Sequence, residues 1–227
     1  MNTRKIKVKD EKEDYTCYYP CPFTRLPQIT SEGIQSTSID IAIKHFAIRI
    51  ERRYLNGSID LLYFNKIDFR DITVGTEENE STGTTKISPG ILNRLTQFLT
   101  SLLPAFYNSP ESVIAIERQM AINYKATRIF QHVLTFFMIH APYFKNYCMI
   151  IDIAPQLKGA VLGAPKRLTY NELKTWSIEK ANEILTLRGD TVSLNILKTH
   201  RGKTKTKADD LADTIIQIEA WFRLVYR

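Results

Sequence analysis

The stretch that decides the fold is Ser36–Glu51, STSIDIAIKHFAIRIE. Apolar and polar residues alternate at Ile39, Ile41 and Ile43, and apolar residues return at Ala47, Ile48 and Ile50. A period of two marks a half-buried strand, so the segment predicts a strand, a tight connection around Lys44–His45, and a second strand. Asn56-Gly57 is a hairpin signal, and SIDLLYFNKIDF after it predicts a third strand. Three successive strands joined by short turns make an antiparallel meander.

Beyond the meander, residues 70–90 are polar and predict a surface loop. Pro89 suits the first turn of a helix. Ile91, Leu92, Leu95, Phe98, Leu99, Leu102 and Leu103 then recur at helical spacing, and Pro104 ends the run. SVIAIE (Ser112–Glu117) predicts a buried strand, Ile122–His140 a long helix, and CMIIDIA (Cys148–Ala154) another strand. Thr169–Leu187 and Asp209–Tyr226 predict two further helices, separated by the basic stretch KTHRGKTKTK at 198–207. The order β-β-β-α-β-α-β-α-α is that of an α/β domain, a mixed sheet with helices on both faces. Upstream, residues 1–35 begin with a charged run and continue through Pro20, Pro22 and Pro27. They predict an arm or irregular cover ahead of one folded domain at 36–227.

Bulk composition narrows the class. The chain has 227 residues, 44% of them hydrophobic, enough for a real core. Its net charge of +7 suits a polyanionic partner without requiring one. No run of eighteen apolar residues exists, so no membrane span is expected, and the charged N-terminus lacks the apolar core of a signal peptide. Three cysteines suit free thiols in a reducing, intracellular compartment. Cys17 and Cys21 lack the two further ligands zinc would need. The histidines His132, His140 and His200 and the aromatics Phe130, Phe136 and Phe137 read as packing or surface residues.

Chemistry is signalled by acids in unusual places. Asp40 interrupts an apolar strand, Glu117 ends VIAIE, and Asp210 and Asp213, with Asp209 beside them, open the last helix. A charge in a strand core is costly unless it is paired or binds a metal. Asp210 and Asp213 are three residues apart and share one side of the helix, extended by Gln217. Leu211, Ile215, Ile218, Phe222 and Val225 form a different side that can pack on the sheet. Four converging acids would repel one another, and divalent cations relieve such repulsion. Carboxylate oxygens suit Mg²⁺ or Mn²⁺ and not Zn²⁺, and two such ions about 3.5–4 Å apart can clamp a phosphodiester. Plain readings exist too: helix-start acids complement the macrodipole, and Glu117 can pair with Arg118. Asp40 is hardest to explain that way.

These motifs form a recognisable set. SIDIAIKHFAIRIE resembles the S-I-D-x-G-I-K-N-x-A opening of RuvC-like Holliday junction resolvases of the poxvirus and mitochondrial kind. VIAIERQ resembles their second motif, QLKGAVLGA a K-x-x-V-x-G element, and KADDLADTI the D-D-x-x-D head of their last helix. The resemblance spans Ser36 to Trp221. It implies an RNase H-like fold with a five-stranded mixed sheet whose first three strands are antiparallel. It implies Asp40, Glu117, Asp210 and Asp213 as ligands of two Mg²⁺ ions, for which Mn²⁺ would substitute. Asp209 would assist, and Lys158 would lie near the active site or the DNA backbone. It further implies a homodimer that nicks opposed strands of a four-way DNA junction, leaving 5′-phosphate and 3′-hydroxyl ends. A viral role in resolving replicating genomes, at a cytoplasmic replication site or in the nucleus, follows only from this resemblance. Ala42 and His45 depart from the motif's Gly and Asn, and Gly would permit a turn that Ala resists.

Two basic groups are candidate nucleic-acid contacts. Arg118, Lys125 and Arg128 follow Glu117 into a helix start, a place that suits phosphate. Lys198, Arg201, Lys203, Lys205 and Lys207 precede the acidic pair and would grip backbone charge. Their plain readings are an ion pair for Arg118 and a solvated loop for the lysines. The functional expectation is a Mg²⁺-dependent, structure-selective endonuclease. The alternatives are a non-catalytic module that binds branched DNA and an RNase H-like nuclease acting on RNA–DNA hybrids.

Overall fold

The alternation in Ser36–Glu51 does fold as adjacent antiparallel strands. A computed structural model describes residues 15–70, 87–201 and 208–226, with Arg201 described in its backbone only. β1 (Tyr15–Tyr19) is followed by β2 (Ile34–Asp40), β3 (Phe46–Arg53) and β4 (Ile59–Ile67). Gly57, at φ +83°, turns the β3–β4 hairpin. After α1 (Pro89–Leu102) and α2 (Pro104–Tyr107) come β5 (Ser112–Glu117), α3 (Tyr124–His140) and β6 (Cys148–Ile153). The chain ends with α4 (Gln156–Leu162), α5 (Tyr170–Arg188), α6 (Thr191–Arg201) and α7 (Asp209–Val225).

The sheet order is β1-β6-β5-β2-β3-β4. β2, β3 and β4 are mutually antiparallel, β5 runs parallel to both β2 and β6, and β1 is antiparallel to β6. The fold is thus the expected α/β mixed sheet, but with six strands in place of five. The sixth, β1, comes from the stretch expected to be an arm or irregular cover. Tyr15 and Cys17 pack on the core under Trp221 and α7, so an edge is built where prolines suggested only covering chain.

One face of the sheet carries Ile39, Ile48, Ile50, Ile114, Ile116 and Ile150 against α1 and α3. The other carries Ile34, Ala47, Val113, Ala115, Met149 and Ile151 against α4, α5 and α7. α7 lies directly on β2 and β3, and the buried Ser36 and Ser38 give it room. Gln217, expected to extend the acidic side of this helix, is buried and reaches the Ala115 carbonyl at 3.4 Å.

Among the described residues three helices went unread, the first being the four-residue α2, which starts at the Pro104 expected only to end α1. α4 is short and stops at Gly163, whose φ of +79° ends it. α6 takes in the first residues of the basic stretch expected to be a loop; Asp190 caps it by accepting from the Ser193 amide at 2.9 Å.

The second face also holds charge. Arg49 and Glu51 on β3 are fully buried and bonded to each other. Glu51 also pairs with Arg53 at 2.6 Å. Arg49 reaches Asp190 at 2.8 Å and Ser193 at 2.7 Å, while Arg53 reaches Glu219 at 3.0 Å. Arg188 joins through Glu219. This network ties β3 to the α5–α6 corner and to α7.

Candidate active site

The register places the acids. Ile39 of β2 pairs in parallel with Ile116 of β5, so the next residues, Asp40 and Glu117, stand side by side where the strands end. Asp40 is the last residue of β2 and not an interior one. The chain leaves the sheet there for the 41–45 loop. Ala42 in that loop does not use the left-handed region: among the described residues Arg167 is the non-glycine residue with positive φ. The departure from Gly therefore carries no strain.

α7 enters above this edge and brings Asp213 in, and α4 brings Lys158. The Lys158 ammonium lies 2.8 Å from Glu117 Oε1 and 3.1 Å from Asp213 Oδ1, with all three side chains largely covered. Asp40 and Glu117 stand close enough to perturb each other's charge. Burial first, then the charges of Glu117 and Asp213, push the Asp40 carboxyl well above its ordinary range. Burial works to raise Glu117, but Lys158 and Asp40 together outweigh it and hold the carboxyl below its usual value. Asp213 is raised, chiefly by burial, while Lys158 and a hydrogen bond from Ser177 act against the rise. Lys158 is kept charged: burial opposes this, and Asp213, Glu117 and Asp40 outweigh it. Acids from three segments far apart in sequence thus gather around an ammonium supplied by a fourth.

Asp210 and Asp209 face other partners. Asp210 Oδ2 is 3.1 Å from Lys66 Nζ of β4, and its carboxyl is pushed up to about 6 by burial and by Asp209. Asp209 is buried, and its Oδ2 is 2.5 Å from Lys174 of α5, whose ammonium lies 4.7 Å from the Tyr170 ring centre. The sequence set therefore divides as the side chains stand. Asp40, Glu117, Asp213 and Lys158 form one group, and Asp210 and Asp209 are each drawn to a lysine of their own.

Whether these residues suit divalent cations is decided by donor chemistry. Every acid here offers carboxylate oxygen, the ligand of Mg²⁺ and Mn²⁺. Asp209 Oδ1 is buried and accepts no hydrogen bond, while Asp213 Oδ1, also buried, has the Lys158 ammonium as its ion-pair partner. Among the described residues no three acidic, His or Cys side chains close on a single ion position as they stand, since Lys158 occupies the middle of the group. The donor set fits; the positive charge at its centre is supplied by lysine.

With the geometry in hand, the chain can be set beside known proteins. No family model matches it. The uncharacterized protein 97L of Invertebrate iridescent virus 3 is 31% identical over 111 residues, 48% of this chain and 47% of that protein. The chain thus matches about half the length of this relative. The yeast mitochondrial Holliday junction resolvase Ydc2 superposes with a TM-score of 0.55 at 15% identity, covering 86% of this chain and 82% of that one. The fowlpox virus Holliday junction resolvase superposes with a TM-score of 0.50 at 18% identity, covering 84% and 99%. This is the RuvC-like resolvase fold.

Within the resolvase fold the expected nucleic-acid residues scatter. Arg118 turns back to the buried Asp152 of β6, at 3.0 Å from Nε and 2.5 Å from Nη2, and to Thr16 of β1 at 2.9 Å. Tyr18 also donates to Asp152, at 3.1 Å. Arg118 therefore clasps the β1 edge beside Glu117, the plain ion-pair reading with a different acid. Lys125 is half-buried in the first turn of α3, Arg128 is exposed one turn on, and Lys198 is exposed on α6. The Arg201 side chain, Lys203, Lys205 and Lys207 lie outside the described residues. Three residues missed by sequence reading contact the acids: Lys66, Lys174 and Ser177. Each occupies an ordinary polar position of a strand or helix, and no spacing connects it to an acid.

Proposed function

We propose that this chain is a metal-dependent endonuclease that cuts four-way DNA junctions by paired, symmetric nicks, leaving 5′-phosphate and 3′-hydroxyl ends. The observation that carries the reading is the convergence of Asp40, Glu117 and Asp213 at the open edge of a resolvase fold. Asp40, Glu117 and Asp213 would hold divalent cations, with Asp210 reaching in from the head of α7. Bound there, Mg²⁺ or Mn²⁺ would supply Lewis acidity and charge neutralisation toward a phosphodiester. Lys158, in contact with Glu117 and Asp213, offsets their repulsion and offers a fixed positive charge toward a phosphate brought to the edge. Asp209, neutralised by Lys174, anchors the first turn of α7. Two opposed nicks need two sites, which a homodimer supplies. The free thiols Cys17, Cys21 and Cys148 suit a reducing, intracellular setting. Among the described residues no helix is long and apolar enough to cross a membrane.

The test is cleavage of matched end-labelled four-way junction, linear duplex and RNA–DNA hybrid in Mg²⁺. The reading expects symmetric nicks in the junction and little else. Preferential cutting of the hybrid would move the site to a different substrate. One observation favours a non-catalytic binder: Lys158 already neutralises the acids. Thermal melting separates the two. A cation at a hundred times its dissociation constant adds about 2.7 kcal/mol, so Mn²⁺ should raise the melting temperature by about 5–10 °C over EDTA. The binder predicts no shift.

A further inference from the structure

β1 is the strand beyond the five that the resemblance implies, and its place in the sheet bears on the site. One row of the sheet runs Ile39, Ile116, Asp152, Thr16, from β2 through β5 and β6 to β1. The next row holds Glu117, Ile153 and Tyr15. Glu117 thus stands two strands from β1, and Asp152 lies between them, one row back.

Asp152 is 3% exposed, and a buried carboxylate needs donors. It takes them from both neighbouring strands. From the end of β5, Arg118 donates to Oδ1 through Nε at 3.0 Å and Nη2 at 2.5 Å. From β1, the Thr16 amide donates to Oδ1 and the Tyr18 hydroxyl to Oδ2, each at 3.1 Å. Arg118 Nη2 also donates to the Thr16 hydroxyl at 2.9 Å. Tyr18 is seated in turn on α3, its ring meeting Phe130 edge-on with centres 6.4 Å apart.

Apolar packing does not fix the chain around Arg118. Every residue from Arg118 to Lys125 is half-buried or exposed, and burial resumes at Ala126. Polar contacts hold the strand end instead. The Arg118 amide donates to the Ile153 carbonyl at 2.8 Å, Gln119 Nε2 to the Glu117 carbonyl at 3.1 Å, and the Arg118 guanidinium grips Asp152. Charge-assisted hydrogen bonds are the strongest of these, so the course of the chain beside Glu117 depends on Asp152 staying in place, and Asp152 depends on β1.

We infer that β1 belongs to the framework of the active site: Tyr18, Asp152 and Arg118 are positioning residues that fix the end of β5 and so set Glu117 for a divalent cation. This rests on the proposed metal site and not on the junction as substrate. Were the clasp only a fastening for the N-terminal strand, loosening it would cost stability and leave metal binding as it was.

The full chain is compared with its Asp152→Asn, Tyr18→Phe and Glu111→Gln variants for Mn²⁺ affinity, amide exchange and junction nicking, all well below the melting transition. Glu111 stands at the opposite end of β5 and holds Arg25 at 2.7 Å and the Gln28 amide at 2.6 Å, so its variant is the control for a loosened N-terminal segment. Asp152→Asn should weaken Mn²⁺ binding about tenfold, as loss of a supporting partner does, and should speed exchange of the Arg118 amide. Tyr18→Phe, which keeps the ring on Phe130, should do both to a smaller degree. In each, nicking should lose kcat with KM for the junction unchanged, and regain it at raised Mn²⁺. Glu111→Gln should match the parent in Mn²⁺ affinity and in nicking. Unchanged Mn²⁺ affinity or unchanged Arg118 exchange in Asp152→Asn overturns the inference, whatever its melting temperature. Should that variant fail to fold, Tyr18→Phe decides by the same two readouts. The stated shifts in a chain that leaves junctions uncut would count against the proposed substrate and keep the positioning role.

Discussion

Asp40→Asn should abolish junction nicking, by a factor on the order of 10³ or more, while leaving junction binding within a few-fold of the parent. Asp40 is the acid whose charge is most resisted by its surroundings. It is half-buried, and burial first, then Glu117 and Asp213, oppose its ionisation. On the proposed reading, the stability given up by keeping an ionisable carboxyl in such a place is offset by what the carboxyl would do once a cation is bound. Asparagine keeps the shape but loses the charge that the proposed cation would need. The variant should therefore melt at the same temperature as the parent or slightly higher, so that lost cleavage cannot be ascribed to lost fold. Gel assays on a synthetic junction with Mg²⁺, paired with a melting curve, check both halves. Retained cleavage would remove Asp40 from the machinery.

Glu51→Ala should be the most destabilising single change outside the apolar core. Glu51 sits fully buried between Arg49 and Arg53, and Arg188 stands 3.8 Å away. Removing it takes from Arg49 and Arg53 their shared buried anion and leaves Asp190 and Glu219 alone to neutralise them, which costs about 3–5 kcal/mol and lowers the melting temperature by roughly 10 °C for a chain of this size. The same group gives stability a pH dependence. Burial alone would raise the Glu51 carboxyl, but Arg53, Arg49 and Arg188 outweigh it and hold it far below its ordinary value. A depressed carboxyl stabilises the fold above its unfolded pKa of about 4.3. That contribution is lost as pH falls from there toward the folded value. Melting temperatures from pH 7 down to pH 3 should decline in the parent, and the slope should be shallower in Glu51→Gln. Identical slopes would assign acid sensitivity to other carboxylates.

The contrast between what could and could not be read in the sequence is physical. Alternation exposed the meander, because a strand with one apolar face writes a period of two into the chain. Asp40 reads as interrupting a strand and Glu117 as ending one; the register instead ends both strands on an acid, which sets the two side by side. Alternation also hid Arg49, Glu51 and Arg53: polar residues at alternating positions look solvent-facing until α7 covers them. β1 was hidden by neighbouring prolines, and its pairing with β6 is a contact across more than a hundred residues that local pattern does not encode. The three-residue spacing of Asp210 and Asp213 correctly put them on one helix side. It could not reveal that lysines from β4 and α4 would draw them to different partners. Arg118 followed Glu117 and suggested a pair with it, whereas the strand end turns the guanidinium the other way, onto Asp152.

The most direct test of the central claim is a crystal structure of the chain grown with Mn²⁺ and read by anomalous scattering. The account predicts manganese at the open sheet edge, coordinated by Asp40, Glu117 and Asp213, with Asp210 turned from Lys66 toward the metal. Crystals whose anomalous density is absent from this edge, with Lys158 still bridging Glu117 and Asp213 at millimolar Mn²⁺, would contradict it.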